Sequence, residues 1–569
     1  MKYRWSIAPP QPLLAAELSK HHGVSLLLAQ CLLNRGHSEP EAVARFLEPR
    51  LRNLADPFAL PNMAAAVDRL LAARERAEPL VIFGDYDVDG VTSTAMLLEV
   101  LRALGWQVDF YLPHRMDEGY GLSQDGVENC LSKFPGTRLL LAVDCGSTAV
   151  DTISWLNQRG VDVLVLDHHQ VSDPPPAAHA LVNPQLGTRF HELCSAGLAF
   201  KLAHALVKRG RDLHLAEFAT FDIRPLLDLV ALGTIADLVP LMGENRVLVT
   251  AGLERLNTTR RPGLLALKVA AGIDGSIGTY EVGFQLGPRL NAAGRLENAA
   301  EALQLIRAPD LATAEPIART LDHRNRERQA IERTITNEVI GAIRARFDPA
   351  RDFVIVEGQL LWHIGVVGIV ASRVLREFYR PTFILGGDAE QWRGSGRSIE
   401  GFDLAAALRE CDDLLIRHGG HAMAAGVTIS PGNVTLFRDR LNAIARRSLS
   451  PEQLQPVLKL DAQVSLRDLT VPRMEELDRL GPTGQGNPAL QFCAIGLRLH
   501  RSPLRMGKEQ QHMKLHVTDG HDVREAVWWN VPQDYAVPAS FDLAFTAEVN
   551  EWRDQRNVQL KVSDLRAAG

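Results

Sequence analysis

Several features that define whole classes of protein are scarce or missing in this sequence. The 569 residues include only six cysteines, and no two of them form a C-x-x-C pair. Neither a disulfide framework nor a zinc ribbon is therefore indicated. No apolar run approaches the roughly 20 residues of a membrane-spanning helix, and the first residues, MKYRWSIAPPQPLL, lack the apolar core of a signal peptide. We expect a cytoplasmic protein with reduced, buried thiols and no membrane association.

The sequence also has no excess of positive charge. It contains 62 Lys and Arg against 68 Asp and Glu, which gives a formal net charge of −6. A protein with this balance can bind a polyanion only where arginines are concentrated locally. The length exceeds that of a single core and suggests three to four domains of roughly 150 residues each.

Changes in pattern divide the chain into five segments. Residues 1–75 are rich in Leu and Ala with helical spacing, which predicts a helical lead-in. Residues 76–310 and 349–450 alternate short apolar runs with amphipathic helices, which predicts two α/β lobes with mainly parallel sheets. Residues 311–348 have a long charged helical pattern, which fits either a solvated surface helix or a connector between the lobes. Residues 455–569 contain short alternating strands and predict an all-β domain of OB-like type.

The stretch VIFGDYDVDGVTS begins like a calcium-binding loop. An EF-hand loop needs a bidentate Glu at its twelfth position and a helix before it. Met96 occupies that position here, and the preceding apolar run, Leu80 to Phe83, is typical of a buried strand. The acids therefore follow a strand and do not form a calcium loop.

Acids and histidines follow three of the predicted strands, and one more acid lies in a helical apolar segment. They are Asp85, Asp87 and Asp89; Asp144; Asp167, His168 and His169; and, in LLDLVALGTIADLVP, Asp237. Any one of these acids alone could be a cap or turn residue. Because parallel strands end at one edge of a sheet, the acids together would repel one another without a cation. Carboxylates with imidazole suit Mn²⁺ or Mg²⁺, and two such ions are a common device for phosphate ester hydrolysis.

These motifs, in this order, resemble those of the DHH phosphoesterase superfamily: DYDVDG, a lone Asp at a strand end, DHH and a later Asp. The segments GPRLNAAGRL, GSGRS and GGHAMAAG, the long helix and the OB-like tail resemble the arrangement in the single-strand-specific 5′→3′ exonucleases of that superfamily. The resemblance covers nearly the whole chain, from about residue 61 to the end.

The resemblance implies that two Mn²⁺ or Mg²⁺ ions are bound by five residues, Asp87, Asp89, Asp144, His168 and Asp237, with the catalytic residues Asp144 and Asp237 as the candidates for bridging the ions. Asp85 would be a further ligand or a hydrogen-bond acceptor behind the ligands. His169 would orient a ligand or act as an acid near the leaving group. Phe83 stands where some members have a histidine, which leaves the ligand set open.

By the same resemblance, arginines and small polar residues bind the DNA. The implied residues are Arg115, Arg289, Asn291, Arg295, Arg373, Ser395, Gly396, Arg397, Ser398 and His421. The glycines of GSGRS would let backbone N–H groups approach an anion, although the stretch also fits an ordinary surface turn. The arginines could instead form structural ion pairs, and His421 could be a core histidine.

Three tryptophans of the tail, Trp528, Trp529 and Trp552, fit either the barrel core or a surface that stacks bases. Cationic residues stand near them in the sequence, namely Lys508, Lys514 and Arg553. We therefore expect the tail to contact the strand.

The function expected from these features is 5′→3′ hydrolysis of single-stranded DNA in repair and recombination, by a monomer. The resemblance adds a single-strand-binding protein and a helicase as partners. One alternative is a phosphodiesterase of oligoribonucleotides or cyclic dinucleotides, which would not need the OB-like tail. The other is a non-catalytic DNA-binding replication scaffold, which would have no reason to keep mutually repelling acids.

Overall fold

The computed structural model describes residues 3–114, 118, 121–296, 299–552 and 555–568, and of residues 295, 296 and 552 it describes the backbone alone. The chain divides into two compact units. Unit 1 comprises Met1–Ser38, Arg326–Arg479 and Leu490–Gly569, and unit 2 comprises Glu39–Asn325 and Leu480–Ala489. The segments expected from the sequence are consecutive, whereas each unit collects separate stretches of chain.

The described residues contain helices at the following positions: α1 (Pro12–His22), α2 (Leu26–Asn34), α3 (Pro40–Leu47), α4 (Met63–Glu75), α5 (Val88–Ala103), α6 (Gln124–Lys133), α7 (Val150–Gln158), α8 (Ser195–Asp212), α9 (Ala216–Ala219), α10 (Leu227–Ala236), α11 (Gly243–Asn257), α12 (Pro262–Ala270), α13 (Thr279–Glu281), α14 (Gly287–Leu296), α15 (Ala300–Ile306), α16 (Leu311–Arg344), α17 (Val367–Phe378), α18 (Leu404–Arg409), α19 (Val434–Ser448) and α20 (Val471–Leu477). A π-helical turn, Val282–Leu286, joins α13 to α14.

The strands of the described residues are β1 (Arg4–Ile7), β2 (Leu80–Gly84), β3 (Val108–Tyr111), β4 (Leu139–Val143), β5 (Asp162–Leu166), β6 (Ala180–Val182), β7 (Ile355–Leu360), β8 (Thr382–Gly387), β9 (Trp392–Arg397), β10 (Leu415–Gly420), β11 (Ala424–Ile429), β12 (Val457–Leu460), β13 (Ala462–Gln463), β14 (Phe492–Leu499), β15 (Leu504–Met506), β16 (His512–Thr518), β17 (Val523–Trp528), β18 (Phe541–Trp552) and β19 (Gln555–Ala567).

Unit 2 is built around a parallel sheet with the strand order β3-β2-β4-β5-β6. The helices α5, α8 and α10 cover one face, and α6 and α7 contribute to the apolar cluster on the other. Since both faces are covered, β2 and β4 consist entirely of buried residues. In register, Gly84 lies beside Val143, and Val143 beside Leu166. Three strands therefore end level, as the sequence predicts.

The sheet of the second lobe, in unit 1, has the order β10-β11-β9-β8-β7. The predicted α/β class is confirmed, but the strand directions differ from the prediction, because only β7 and β8 are parallel and the other pairs are antiparallel. Residues 388–391 and 421–423 connect strand pairs as hairpins. Such short connections cannot make the crossover that parallel strands need.

The C-terminal strands form the expected all-β domain. Their order is β13-β14-β18-β19-β17-β16-β15, and an additional pairing of β14 with β16 closes the sheet on itself. Closure leaves few free strand edges, as in small OB-type barrels.

The N-terminal segment contains helices α1 to α4, as its helical pattern predicts, but the first described element is a strand. Its first described residues form β1, which pairs in parallel with β12, so that Arg4 lies beside Val457. The indole nitrogen of Trp5 donates a hydrogen bond to Asp564 at 2.8 Å. A four-residue strand has little periodicity of its own, and its partner lies far along the chain, which is why the helical pattern of its neighbours dominates the sequence.

The long helix α16 is shared by the two units and is not a fully solvated surface helix. Ala314, Ala318 and Leu321 belong to the apolar core of unit 2. Further along, Ile335 and Val339 belong to a core cluster of unit 1. The first turns of the helix are thus buried in the core of unit 2, and later turns in a core cluster of unit 1.

All six cysteines are free and buried, as expected for reduced core thiols. Among the described residues, no helix combines the length and apolar character that crossing a membrane requires.

A buried arginine attaches a distant stretch of sequence to unit 2. Arg246 in α11 is almost fully buried. Its guanidinium donates hydrogen bonds to the carbonyl oxygens of Phe46, at 2.8 Å, and Leu480, at 2.9 Å. It also stacks on the Phe46 ring, 3.8 Å from the centroid. These contacts help to explain why Leu480–Ala489 belongs to unit 2.

We expect Arg246→Met to lower the free energy of unfolding by about 3 kcal/mol, because two buried carbonyl oxygens lose a charged donor. Urea denaturation of the variant and the parent protein measures the change. Arg224→Met, which removes an exposed arginine paired with Asp222, serves as the control and should leave the midpoint unchanged. Equal midpoints for all three proteins would show that the buried carbonyls do not depend on Arg246.

Candidate metal centre

The first acidic motif combines a strand end with a helix start. Asp87 is the N-cap of α5, and its carboxylate accepts hydrogen bonds from the backbone N–H groups of Asp89, at 2.9 Å, and Gly90, at 3.1 Å. A Cβ at Gly90 would lie 2.6 Å from the carbonyl oxygen of Asp85. Glycine is therefore required for the tight turn that brings Asp85 and Asp87 together.

Asp89 lies in the first turn of α5 and is almost fully buried. Its two carboxylate oxygens accept hydrogen bonds from the backbone N–H groups of Ser195, at 2.8 Å, and Ala196, at 2.7 Å. These residues begin α8, so Asp89 also links the first turns of two helices. Each oxygen keeps lone pairs that these bonds do not use.

Asp144 follows β4 and adopts the left-handed conformation, with φ of 64°. Asp is one of the residues that tolerate this region. The Ser195 hydroxyl donates a hydrogen bond to its carboxylate at 2.9 Å. Sequence reasoning missed Ser195, because CSAGLAF has no motif beyond an ordinary helix start.

His168 faces the carboxylates from the end of β5. Its Nε2 lies 3.5 Å from Asp144 Oδ1, 3.5 Å from Asp237 Oδ2 and 4.0 Å from Asp89 Oδ2. Asp237 is the C-cap of α10, at the end of the helix whose dipole disfavours an anion. The acids expected from the sequence to meet at this edge are therefore brought together, with a histidine among them.

The electrostatics of this cluster indicate a need for positive charge. Burial and the neighbouring carboxylates raise the pKa of Asp237 to about 9 and that of Asp89 to about 7. Burial, followed by the charge of Asp89, raises the pKa of Asp144 well above its ordinary value. Burial and the nearby His169 lower the pKa of His168 to about 4. The imidazole is thus kept neutral, the form in which it binds a metal ion.

The residues of the cluster fit divalent cations. The Nε2 of His168 and the Oδ2 of Asp237 are buried and have no hydrogen-bond partner among the described residues. Donor atoms lie within 4.8 Å of one another in three sets. The sets are Asp85, Asp87 and Asp144; Asp144, His168 and His169; and Asp89, Cys194 and Asp237. Oxygen donors with one or two imidazoles suit Mn²⁺ or Mg²⁺, and Asp144 is common to two sets.

The neighbouring His169 is held by Asp167, an acid that the sequence places at the strand end but that was not predicted as a site residue. Asp167 accepts a hydrogen bond from the Nδ1 of His169 at 2.7 Å and others from the backbone N–H groups of both histidines and Ser147. Burial disfavours the charge on His169, but the bond to Asp167 outweighs it and raises the pKa of His169 to about 9. Its side chain is half exposed.

Two of the predicted DNA-binding residues on α14 instead make internal contacts. Arg289 forms an ion pair with Asp322 at 3.0 Å and donates to the carbonyl of Gln285. The Asn291 side chain accepts a hydrogen bond from the backbone N–H of Val88 at 3.1 Å. Arg289 thus forms a structural ion pair, the alternative to DNA binding that the sequence left open. Arg115 and the side chain of Arg295 lie outside the described residues.

In unit 1, the GSGRS stretch is neither a phosphate-cradling loop nor a surface turn. It forms part of β9, which pairs with β8 on one side and β11 on the other. A Cβ at Gly396 would lie 2.4 Å from the Phe383 ring, so this glycine serves packing. The Ser398 hydroxyl donates to the carbonyl of Phe402 at 2.6 Å. The expectation of backbone N–H groups aimed at an anion is therefore wrong.

Arg397 differs from the other described arginines of the predicted set. It donates hydrogen bonds to the Ser395 hydroxyl and the Gly396 carbonyl, both at 2.8 Å. Among the described residues, no carboxylate forms an ion pair with it, and burial alone lowers the pKa of its guanidinium. Arg373, by contrast, forms an ion pair with Glu332. His421 is exposed in the turn between β10 and β11.

The two described tryptophan side chains of the tail differ in exposure. Trp528 is half-buried and packs edge-on against Tyr535, with the ring centroids 5.0 Å apart. Trp529 is 51% exposed and contacts His512. Lys514 forms an ion pair with Glu525 at 3.0 Å, and Lys508 is exposed. Arg553 and the side chain of Trp552 lie outside the described residues.

A parallel sheet whose strands end level in these acids and a pair of histidines defines a phosphoesterase of the DHH type. Family models match in the corresponding places: the N-terminal domain of the DHH family over residues 79–234, the DHHA1 domain over 351–447 and the RecJ OB domain over 460–564. The resemblance to this superfamily is thus confirmed.

Comparison with individual relatives identifies the family within this superfamily. The chain is 38% identical to the single-stranded-DNA-specific exonuclease RecJ of Bacillus subtilis strain 168, over 99% of this chain and 71% of the relative. The crystal structure of RecJ from Thermus thermophilus in complex with Mn²⁺ matches with a TM-score of 0.85 and 31% identity, over 100% of this chain and 80% of that one. A Mg²⁺ complex of the same enzyme matches with a TM-score of 0.79 and 29% identity, over 100% and 79%. The chain belongs to the RecJ family.

We expect Asp144→Asn to abolish most of the stabilisation by Mn²⁺ without disturbing the fold. Asn also tolerates the left-handed backbone, and the change removes one charge from a repelling group. In a chelating buffer the variant should melt at or above the temperature of the parent protein. Added Mn²⁺ should raise the Tm of the parent far more than that of the variant.

The control for this experiment is Asp151→Asn, which removes an exposed acid from the start of α7. It should respond to Mn²⁺ as the parent protein does. Equal Mn²⁺-induced shifts for the Asp144 variant and the parent would contradict the assignment of Asp144 as a ligand.

Proposed function

We propose that the protein is a metal-dependent exonuclease that hydrolyses single-stranded DNA from its 5′ end, in DNA repair and recombination. The observation that carries the proposal is the position of His168 Nε2, 3.5 Å from carboxylate oxygens of both Asp144 and Asp237 at the edge of a parallel sheet. Membership of the RecJ family supports single-stranded DNA as the substrate. The closed barrel, which a dinucleotide would not need, favours a long strand over the cyclic-dinucleotide alternative.

We infer that five residues hold two Mn²⁺ or Mg²⁺ ions: Asp87, Asp89, Asp144, His168 and Asp237. Asp85 lies within the same group of donor atoms as Asp87 and Asp144 and is a further candidate. The membership of Asp144 in two donor sets supports its role between the two ions. Bound there, the ions would lower the pKa of a water and stabilise negative charge on the phosphate.

Hydrogen bonds from neighbouring residues orient the candidate metal ligands and His169. Ser195 fixes one oxygen of Asp144, and the N–H groups at the start of α8 fix the carboxylate of Asp89. Asp167 holds the His169 ring by its Nδ1 and favours the imidazolium. A cationic ring at this position can stabilise the phosphate or donate a proton to the leaving oxygen. This supports the role predicted for His169 as an acid.

For phosphate binding in unit 1 we propose Arg397 together with Ser395. Its guanidinium lacks a competing carboxylate among the described residues, so it can pair with an anion without breaking an existing ion pair. Arg115, Arg295 and His421 remain proposed contacts of the strand, on the resemblance alone. Trp529 is proposed as a stacking residue because its ring is exposed.

We also propose a location, an oligomeric state and protein partners. By the family resemblance we infer a cytoplasmic monomer that receives its strand from a helicase and a single-strand-binding protein.

Digestion of single-stranded DNA with Mn²⁺ should release label from the 5′ end first, and a blunt duplex should be degraded slowly. The measurement is the time course of products from strands labelled at either end. Asp144→Asn should reduce the rate by at least about 100-fold, because the chemistry depends on the bound ions. Release of 3′ label first, or equal rates on duplex and single strand, would contradict the proposal.

Arg397→Gln should weaken the binding of single-stranded DNA and lower the salt dependence of log K by about 0.7, the value for one phosphate contact on a single strand. Affinity measured at several salt concentrations in a chelating buffer gives this slope. Arg440→Gln, which removes an exposed arginine paired with Asp413 in the same lobe, is the control and should leave the slope unchanged. An unaltered slope for the Arg397 variant would exclude the phosphate contact.

A further inference from the structure

Two exposed aromatic rings stack on each other in unit 2. Tyr280 in α13 is 61% exposed and Phe284 in the following π-helical turn is 65% exposed. Their ring centroids are 5.0 Å apart, with an interplanar angle of 28°. Single exposed apolar residues are common, but a pair of large rings forms a continuous apolar surface.

The segment that carries these rings packs against the end of α10, next to Asp237. A Cβ at Gly283 would lie 3.9 Å from the side chain of Ile235, and one at Gly287 would lie 3.6 Å from that of Ala236. Ile235 and Ala236 directly precede Asp237 at the end of α10. Further along the same segment, the Asn291 side chain accepts the hydrogen bond from Val88 described above. The segment that carries the rings therefore packs beside Asp237 and continues into α14, which contacts the DYDVDG motif.

The π-helical turn fixes the rings in place. Val282 and Leu286, at its two ends, are buried in the core of unit 2 and anchor the turn. Side chains four residues apart lie next to each other on a helix, so Tyr280 and Phe284 face the same way. Single π-helical turns are rare and occur frequently at functional sites. The exposed rings thus sit on a backbone held by burial of its neighbours.

We propose that Tyr280 and Phe284 form a stacking platform for bases of the DNA strand beside the scissile phosphate. This inference rests on the proposed function, because it takes the occupant to be the strand that the adjacent centre hydrolyses. The packing of this segment against the residues that precede Asp237 favours a base over a partner protein. Every base has a π-face, so stacking would hold the strand without selecting its sequence, as an exonuclease requires.

The test compares binding of a short oligothymidylate in a chelating buffer, where no cleavage occurs. Phe284→Leu and Tyr280→Leu keep apolar side chains but remove the rings, and each should weaken binding by roughly 5- to 150-fold, the range for loss of one stacked base. Phe284→Trp keeps a ring and should bind as the parent protein does. Val269→Ala, which trims an exposed apolar residue of α12, is the control and should have no effect.

Binding of an abasic strand of the same length distinguishes the loss of base stacking from other causes of weaker binding. The leucine variants and the parent protein should bind this abasic strand equally, because no base is present to stack. With Mn²⁺, the leucine variants should show a raised KM and an unchanged kcat on the normal strand.

Two results would overturn the platform: wild-type affinity of both leucine variants for oligothymidylate, or an equal loss of affinity on the abasic strand. Failure of the proposed function is distinguishable, since then the parent protein itself would not degrade the strand. Melting temperatures equal to that of the parent confirm that the variants are folded.

Discussion

The level ends of three parallel strands are the constraint on which the rest of unit 2 depends. Gly84, Val143 and Leu166 lie side by side, so the acids that follow them are forced into one small buried volume. Repulsion between buried carboxylates is costly, and only positive charge or protons can relieve it. The hydrogen bonds from α8 hold the carboxylates in position but supply no net charge. The fold therefore creates an electrostatic demand that divalent cations satisfy.

The parts of this centre that sequence reasoning predicts are those encoded locally. Apolar runs followed at once by acids identify the strands and their ends, and the direction of a parallel sheet then brings Asp87, Asp144 and His168 together. Asp237 stands out in the sequence as an acid within a helical apolar segment. In each of these cases a few adjacent residues carry both the structural and the chemical signal.

The remaining features depend on contacts between residues far apart in the sequence. Ser195 reaches Asp144 only because α8 starts beside β4, and nothing in its neighbours indicates this. The glycines of GSGRS suit a loop as well as a strand, and the ring of Phe383, which explains one of them, comes from another strand. The structural ion pair of Arg289 is not visible in the sequence, because its partner Asp322 lies on another helix. Pairing of β1 with β12 likewise has no local signature.

That last pairing has a consequence for synthesis. Arg4 leaves the ribosome some 450 residues before its partner Val457, which at roughly 5–20 residues per second means a delay of about 20 to 90 seconds. Throughout that time β1 has no partner strand. An edge strand without its partner is a template for association with other chains. Its shortness, at four residues, limits this hazard until β12 emerges and pairs with it.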